Sequence, residues 1–117
     1  MNEAAERIVE PARETPAPRW LLRLYIAGQS PKSMLAMVNL KRLCAERLAG
    51  DYHIEVVDLL EHPHLAERDQ VLAIPTLVRT HPPPLRKLVG DLSETERVVA
   101  TLELPSDDPE AEREHQR

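Results

Sequence analysis

The feature that most restricts how this chain can fold is a proline inside an apolar, β-branched run. Ala73-Ile74-Pro75-Thr76-Leu77-Val78-Arg79 is followed closely by Pro82-Pro83-Pro84. Proline has no N–H to give a β-ladder, so strands accept it only at their starts, edges and bulges. A third strand beginning at Pro75 satisfies that restriction, entered through either isomer of the Ile74-Pro75 bond. The triple proline then makes a stiff connection to whatever follows.

The chain has 117 residues, enough for one domain with one modest core. It has no Phe, one Trp (Trp20) and two Tyr (Tyr25 and Tyr52), so the core must be aliphatic. A net charge of −5 argues against general nucleic-acid binding, which needs a basic face to displace counterions. The charge is uneven: residues 105–117 hold five acids against two arginines, while residues 20–104 hold ten Lys/Arg and eleven Asp/Glu. The lone Cys44 cannot form an intramolecular disulfide, which fits a reducing compartment. The first residues lack a basic-then-apolar signal pattern, and no apolar run nears the roughly 20 residues that span a bilayer. We therefore expect a soluble, cytoplasmic protein with no membrane association.

Along the chain, residues 1–19 mix charge with Pro11, Pro16 and Pro18 and read as a flexible arm. Residues 105–117 read as an acidic tail. Between them lies one domain, 20–104. Trp20–Ala27 is apolar apart from Arg23, as a strand buried on both faces should be. Ser30 is a suitable N-cap with Pro31 at the first helical position. The helix it opens runs to about Leu48, with Ala36, Met37, Leu40, Leu43, Cys44 and Leu48 on its apolar face. Gly50 stands where a left-handed residue is wanted. His53–Leu59 reads as a second strand, parallel to the first because a long helix separates them. His62-Pro63 opens a second helix through about Val71, with Leu65, Ala66 and Leu72 on a weak apolar face. Strands follow over Thr76–Thr80 and Leu85–Val89. Ser93-Glu94-Thr95-Glu96 reads as a capping box for a last helix through about Leu102. The order β-α-β-α-β-β-α, with a proline before the third strand, is the α/β plan of thioredoxin-like proteins.

Thioredoxin-like redox proteins carry their reactive Cys-x-x-Cys between the first strand and helix. Here that segment is Gly28-Gln29-Ser30-Pro31-Lys32-Ser33, without a thiol, and Cys44 reads as a core residue. His62 and His64, with Glu61 and His81, lack the spacing of a metal site. Asp58, Asp69 and Asp91 form no carboxylate pair, and no phosphate loop or catalytic triad is discernible. We expect no catalytic site, cofactor or metal. The remaining candidates are surfaces: Arg79, Arg86 and Lys87 on the strands flanking the triple proline, with Arg23 on the first strand. These residues read either as a solvated, charge-protected edge or as a place for sheet-edge pairing with a partner. Trp20 reads as core or as an interface anchor.

Leu22-Arg23-Leu24-Tyr25-Ile26-Ala27-Gly28, Ser30-Pro31-x-Ser33, Val56-Val57-Asp58-Leu59-Leu60, Pro63-x-Leu65-Ala66-Glu67 and the run from Val71 to Ser93 together strongly resemble the KaiB family, over about residues 20–104. The resemblance implies a non-enzymatic clock-type protein that binds the ATPase KaiC, recruits KaiA and displaces the histidine kinase SasA, whose sensor domain is KaiB-like. It also implies two folds: a thioredoxin-like partner-binding monomer and an oligomeric βαββααβ ground state, dimer or tetramer, that refolds the second half. Carried onto this sequence, the partner surface is expected to include Trp20, Arg23, His53, Glu55, Arg79, Arg86 and Lys87. The segments expected to change between folds include Pro75, Pro82, Pro83, Pro84, Thr101 and Glu103.

Three positions depart from the family pattern. Glu55 stands where lysine is common, Thr101 where many members have glycine, and Glu103 where aspartate is usual. Replacing a helical glycine favours the last helix by up to about 1 kcal/mol, less for β-branched Thr, which implies a shift toward the thioredoxin-like state. Two other functions compete: a thioredoxin-like redox or glutathione-binding protein, and a KaiB-like sensor module working with a histidine kinase.

Overall fold

Trp20–Ile26 forms strand β1, and Pro31–Arg47 forms helix α1. Ser30 caps α1 by accepting the Ser33 N–H, with Pro31 in the first turn. The computed structural model describes residues 17–105, so most of the expected arm and tail lies outside the described residues. Leu48 is the C-cap of α1, and the chain leaves it through two left-handed residues, Ala49 (φ 52°) and Gly50 (φ 79°). Strand β2 (Tyr52–Asp58) follows and pairs parallel with β1. Helix α2 is shorter than its sequence suggests, His64–Arg68, and Gln70 at φ 58° turns the chain away. Leu72, expected on its apolar face, is therefore 97% exposed, and Val71 packs inward instead.

Strand β3 (Thr76–His81) starts directly after Pro75 and pairs antiparallel with β1. The Ile74-Pro75, His81-Pro82 and Pro83-Pro84 bonds are cis. The Thr76 hydroxyl donates to the Ala73 carbonyl at 2.6 Å, and the Gly90 N–H donates to the Pro75 carbonyl at 2.9 Å. Both bonds hold the proline turn against the sheet. Strand β4 (Arg86–Val89) pairs antiparallel with β3, and helix α3 (Thr95–Leu102) closes the fold. The expected capping box does not form. The Asp91 carboxylate accepts the Ser93 N–H at 3.0 Å, so helix entry moves to Glu94, whose side chain makes no cap hydrogen bond.

The sheet order is β2-β1-β3-β4, with helices on both faces. Alternation along the strands sends Leu22, Leu24, Ile26, Leu77 and Leu88 to one face. There they meet Ala36, Leu40, Leu43 and Cys44 of α1 and Val98 and Leu102 of α3 in the main core. The opposite face presents Tyr25, Val57 and Val78 to α2 through Leu65 and Ala66 in a smaller cluster. Because α2 has only five residues, it covers only part of that face. This is the βαβαββα order expected from the sequence.

Candidate partner-binding surface

Strand alternation sorts the seven expected partner-surface residues into two groups. Arg23, His53, Glu55 and Lys87 share the face that α2 only partly covers. Trp20, Arg79 and Arg86 share the helix-covered face. The edges of the sheet are β2 and β4, so Arg86 and Lys87 stand on an edge strand, while Arg79 lies on the interior strand β3.

The partly covered face is built on one cross-strand row. Arg23 and Glu55 are register partners on β1 and β2, and their side chains meet at 2.8 Å (Nε to Oε1). Val78 is the partner of Arg23 on β3, and Lys87 that of Val78 on β4. Arg23 donates to the Tyr25 hydroxyl at 3.4 Å, and Tyr25 donates to Asp69 Oδ2 at 2.7 Å. Asp69 also accepts from Arg68 Nε at 2.8 Å and Nη2 at 3.3 Å. The Lys87 ammonium reaches the Gln70 carbonyl at 3.5 Å. A polar chain thus crosses the sheet from β2 to α2.

Burial works against the Arg23 charge, but hydrogen bonds to Tyr25 and Glu55 outweigh it and its pKa is raised. Burial raises Tyr25, with Asp69 adding to the rise and Arg23 opposing it. Asp69 lies below the ordinary carboxylate range because Arg68 hydrogen-bonds its charged form, and burial opposes that only in part. His53 is exposed on the β2 edge.

On the other face the expected surface residues are mostly interior. Trp20 is 8% exposed and Arg79 1% exposed. The Arg79 guanidinium carbon lies 5.8 Å from the Trp20 ring centroid. Arg79 Nη1 donates to the Leu102 carbonyl at 2.5 Å and Nη2 to the Pro84 carbonyl at 2.6 Å. Glu103, the left-handed C-cap of α3 at φ 57°, lies 3.6 Å from Arg79 and 3.4 Å from Arg86. Thr101 is half-buried on α3. Of the switch candidates, Pro75 is buried, Pro82 half-buried, and Pro83 and Pro84 exposed.

Sequence reasoning missed the roles of Tyr25, Arg68 and Asp69. The available signal was Tyr25 two residues from Arg23, hence on the same strand face.

The loop after β1 is held by local polar contacts. Ser30 Oγ donates to Ser33 Oγ at 2.8 Å, and Ser33 Oγ accepts the Ala27 N–H at 3.1 Å. The Gly28 N–H donates to Asp58 Oδ1 at 2.9 Å. Gly28 has φ 58°, and a Cβ there would lie 2.8 Å from Leu60 Cδ1. Cys44 is fully buried, and burial pushes its thiol up to about 12, far from the reactive thiolate range. Among the described residues, no group of three or more His, Cys, Asp or Glu is placed to hold a metal. No helix among them is long and apolar enough to cross a membrane.

The KaiB domain family model matches residues 23–104, which contain the second half of β1 and every later element. This chain belongs to the KaiB family. It is 46% identical over 85 residues to the circadian clock oscillator protein KaiB of Microcystis aeruginosa, covering 73% of this chain and 82% of that one. It is likewise 46% identical over 85 residues to the KaiB of a Nostoc species, covering 73% and 79%. Among solved structures, the N-terminal domain of Synechococcus elongatus SasA matches this KaiB-family fold with a TM-score of 0.61 at 22% identity, covering 80% of this chain and 92% of that one. Mitochondrial thioredoxin 3 of Saccharomyces cerevisiae matches with a TM-score of 0.59, also at 22% identity, covering 74% and 80%. The likeness to these two extends to the thioredoxin-like fold alone.

Proposed function

We propose that this protein is a non-enzymatic regulator that binds a KaiC-type ATPase and modulates its phosphorylation and ATPase cycle, in a circadian clock or a simpler timer or stress system. The observation that carries this reading is the KaiB family match over residues 23–104. It is supported by the sheet face that α2 covers only in part, which carries Arg23, His53, Glu55 and Lys87. In this reading those four residues form the contact surface, with Arg86 at its margin and Trp20 and Arg79 supporting it from within. The βαβαββα form is then the partner-binding state. An oligomeric βαββααβ resting state would rebuild the segments containing Pro75, Pro82–Pro84, Thr101 and Glu103. The site of action is the cytoplasm, and KaiA or a SasA-like histidine kinase would be further partners.

The test is complex formation with each cognate KaiC-type ATPase, in its different nucleotide and phosphorylation states, followed by native mass spectrometry. Binding should weaken at least tenfold on Lys87→Glu and change little on Arg86→Ala. Failure to bind any form of any cognate ATPase would sink the proposal.

A second reading, a sensor module that partners a histidine kinase, is favoured by the fold shared with the SasA domain. Pull-down of a kinase in preference to the ATPase would select it. The redox alternative is disfavoured by the buried Cys44 and by the absence of a thiol from Gly28–Ser33. Cysteine-dependent insulin reduction, lost in Cys44→Ser, would restore it.

A further inference from the structure

Arg79 is a fully buried cation held by two segments that are distant in sequence. Its Nη1 bonds the last carbonyl of α3, at Leu102, and its Nη2 bonds Pro84 in the connection to β4. Its Nε is buried and has no hydrogen-bond partner among the described residues. The stem lies beside Leu22, its register partner on β1, and the guanidinium faces Trp20. The carboxylate paired with it among the described residues, Glu103, belongs to the end of α3 and is more than half exposed.

These contacts make the two ways of opening this region unequal. If the Pro82–Pro84 connection and β4 leave first, α3 still covers Arg79. A second set of guanidinium donors is then stranded without partners beneath a docked helix, a costly arrangement for a buried charge. If α3 leaves first, water reaches the guanidinium and replaces the lost bonds. We propose that Arg79 makes α3 a gate on the prolyl connection: β4 and Pro82–Pro84 detach only with the last helix or after it. Without the buried cation, β4 is a four-residue edge strand held by its ladder to β3 and by Leu88 in the core, and it frays more readily on its own.

This inference concerns the free protein and is independent of the partner reading. Hydrogen exchange of the full chain, read by mass spectrometry, tests it. In the wild type, the peptide covering 84–89 should exchange no faster than the peptide covering 96–104. Arg79→Met keeps the bulk and removes the donors, so the ratio of strand to helix exchange rates should rise by about tenfold or more. Glu103→Gln removes only the exposed charge and should leave the wild-type order intact. Faster exchange of the strand than of the helix in the wild type overturns the gate, as does an Arg79→Met ratio within twofold of wild type. Should Arg79→Met fail to fold, the wild-type order and the Arg79→Lys chain decide, since lysine cannot bridge both carbonyls in a fork and should also raise the ratio.

Discussion

Tyr25→Phe isolates one link of the polar chain on the partly covered face. The ring stays in the cluster with Val57, Leu65 and Val78, so little packing changes. What is lost is a 2.7 Å hydrogen bond to the Asp69 carboxylate and a longer one accepted from Arg23. A hydrogen bond to a charged group contributes about 1.5–3 kcal/mol. Asp69 is 18% exposed and keeps both bonds from Arg68, so screening and the remaining donors place the expected loss near the lower end, about 1–1.5 kcal/mol. In a domain of this size that corresponds to a fall in Tm of roughly 4–8 °C per kcal/mol.

The loss should also depend on pH. Asp69 is held below its ordinary pKa in the folded state, chiefly by Arg68. The unfolded chain therefore binds the proton more readily. Its contribution to stability is present above the unfolded carboxylate pKa, about 3.9, and is lost as pH falls through the depressed folded value. Because Tyr25 supplies part of that depression, the gap between wild type and Tyr25→Phe should narrow as the solution is acidified through that window. Urea unfolding at pH 7 and at pH 3, with unchanged m-values, measures it. A difference below about 0.3 kcal/mol at pH 7, or one that widens toward low pH, would refute the reasoning.

Glu55→Lys places two cations opposite each other on adjacent strands and should cost about 0.5–1 kcal/mol in urea unfolding at low salt, shrinking as salt is added. Arg86→Ala breaks an exposed 3.4 Å contact with Glu103 and an exposed 3.4 Å bond to the Leu85 carbonyl, so its midpoint should move by less than about 0.5 kcal/mol. Cys44→Ser puts a hydroxyl into an apolar, fully buried site and should cost about 1–3 kcal/mol by the same assay. An unchanged midpoint there would show that the helix accommodates the hydroxyl through its own backbone.

Much of the fold was legible because local chemistry and tertiary packing agree over those stretches. Ser30 and Pro31 start α1 where a cap and a first-turn proline should, and Ala36, Leu40, Leu43 and Cys44 face the core as their spacing requires. Disagreement arises where two local partners compete. Ser93 reads as a cap, but Asp91 lies two residues away and takes its N–H first, while Leu92 at φ 66° redirects the chain. Leu72 reads as part of a helix face, but Gln70 ends the helical path before Leu72 can join it.

The geometry of the residues named for the partner surface was not legible in the sequence. Arg86 and Lys87 are sequence neighbours in one strand, so period-two alternation alone puts them on opposite faces. Their shared charge invites grouping them, and the register separates them. Arg79 has two visible neighbours in sequence, Val78 and Thr80, and neither discloses that the end of α3 covers it. That burial depends on a helix more than fifteen residues away. Asp69 shows the same limit: its partner Tyr25 lies 44 positions earlier.

The position of Trp20 has a practical consequence. It is the chain's single indole, with no phenylalanine and only two tyrosines to share the near-ultraviolet signal. Its ring is nearly enclosed in the core that contains Leu102 and Leu104, with a guanidinium 5.8 Å from its centre. Emission from this protein therefore reports one place, the seam between the first strand and the end of the last helix. Detachment of that helix should shift the emission to longer wavelength, giving an intrinsic optical readout of the C-terminal segment without a label.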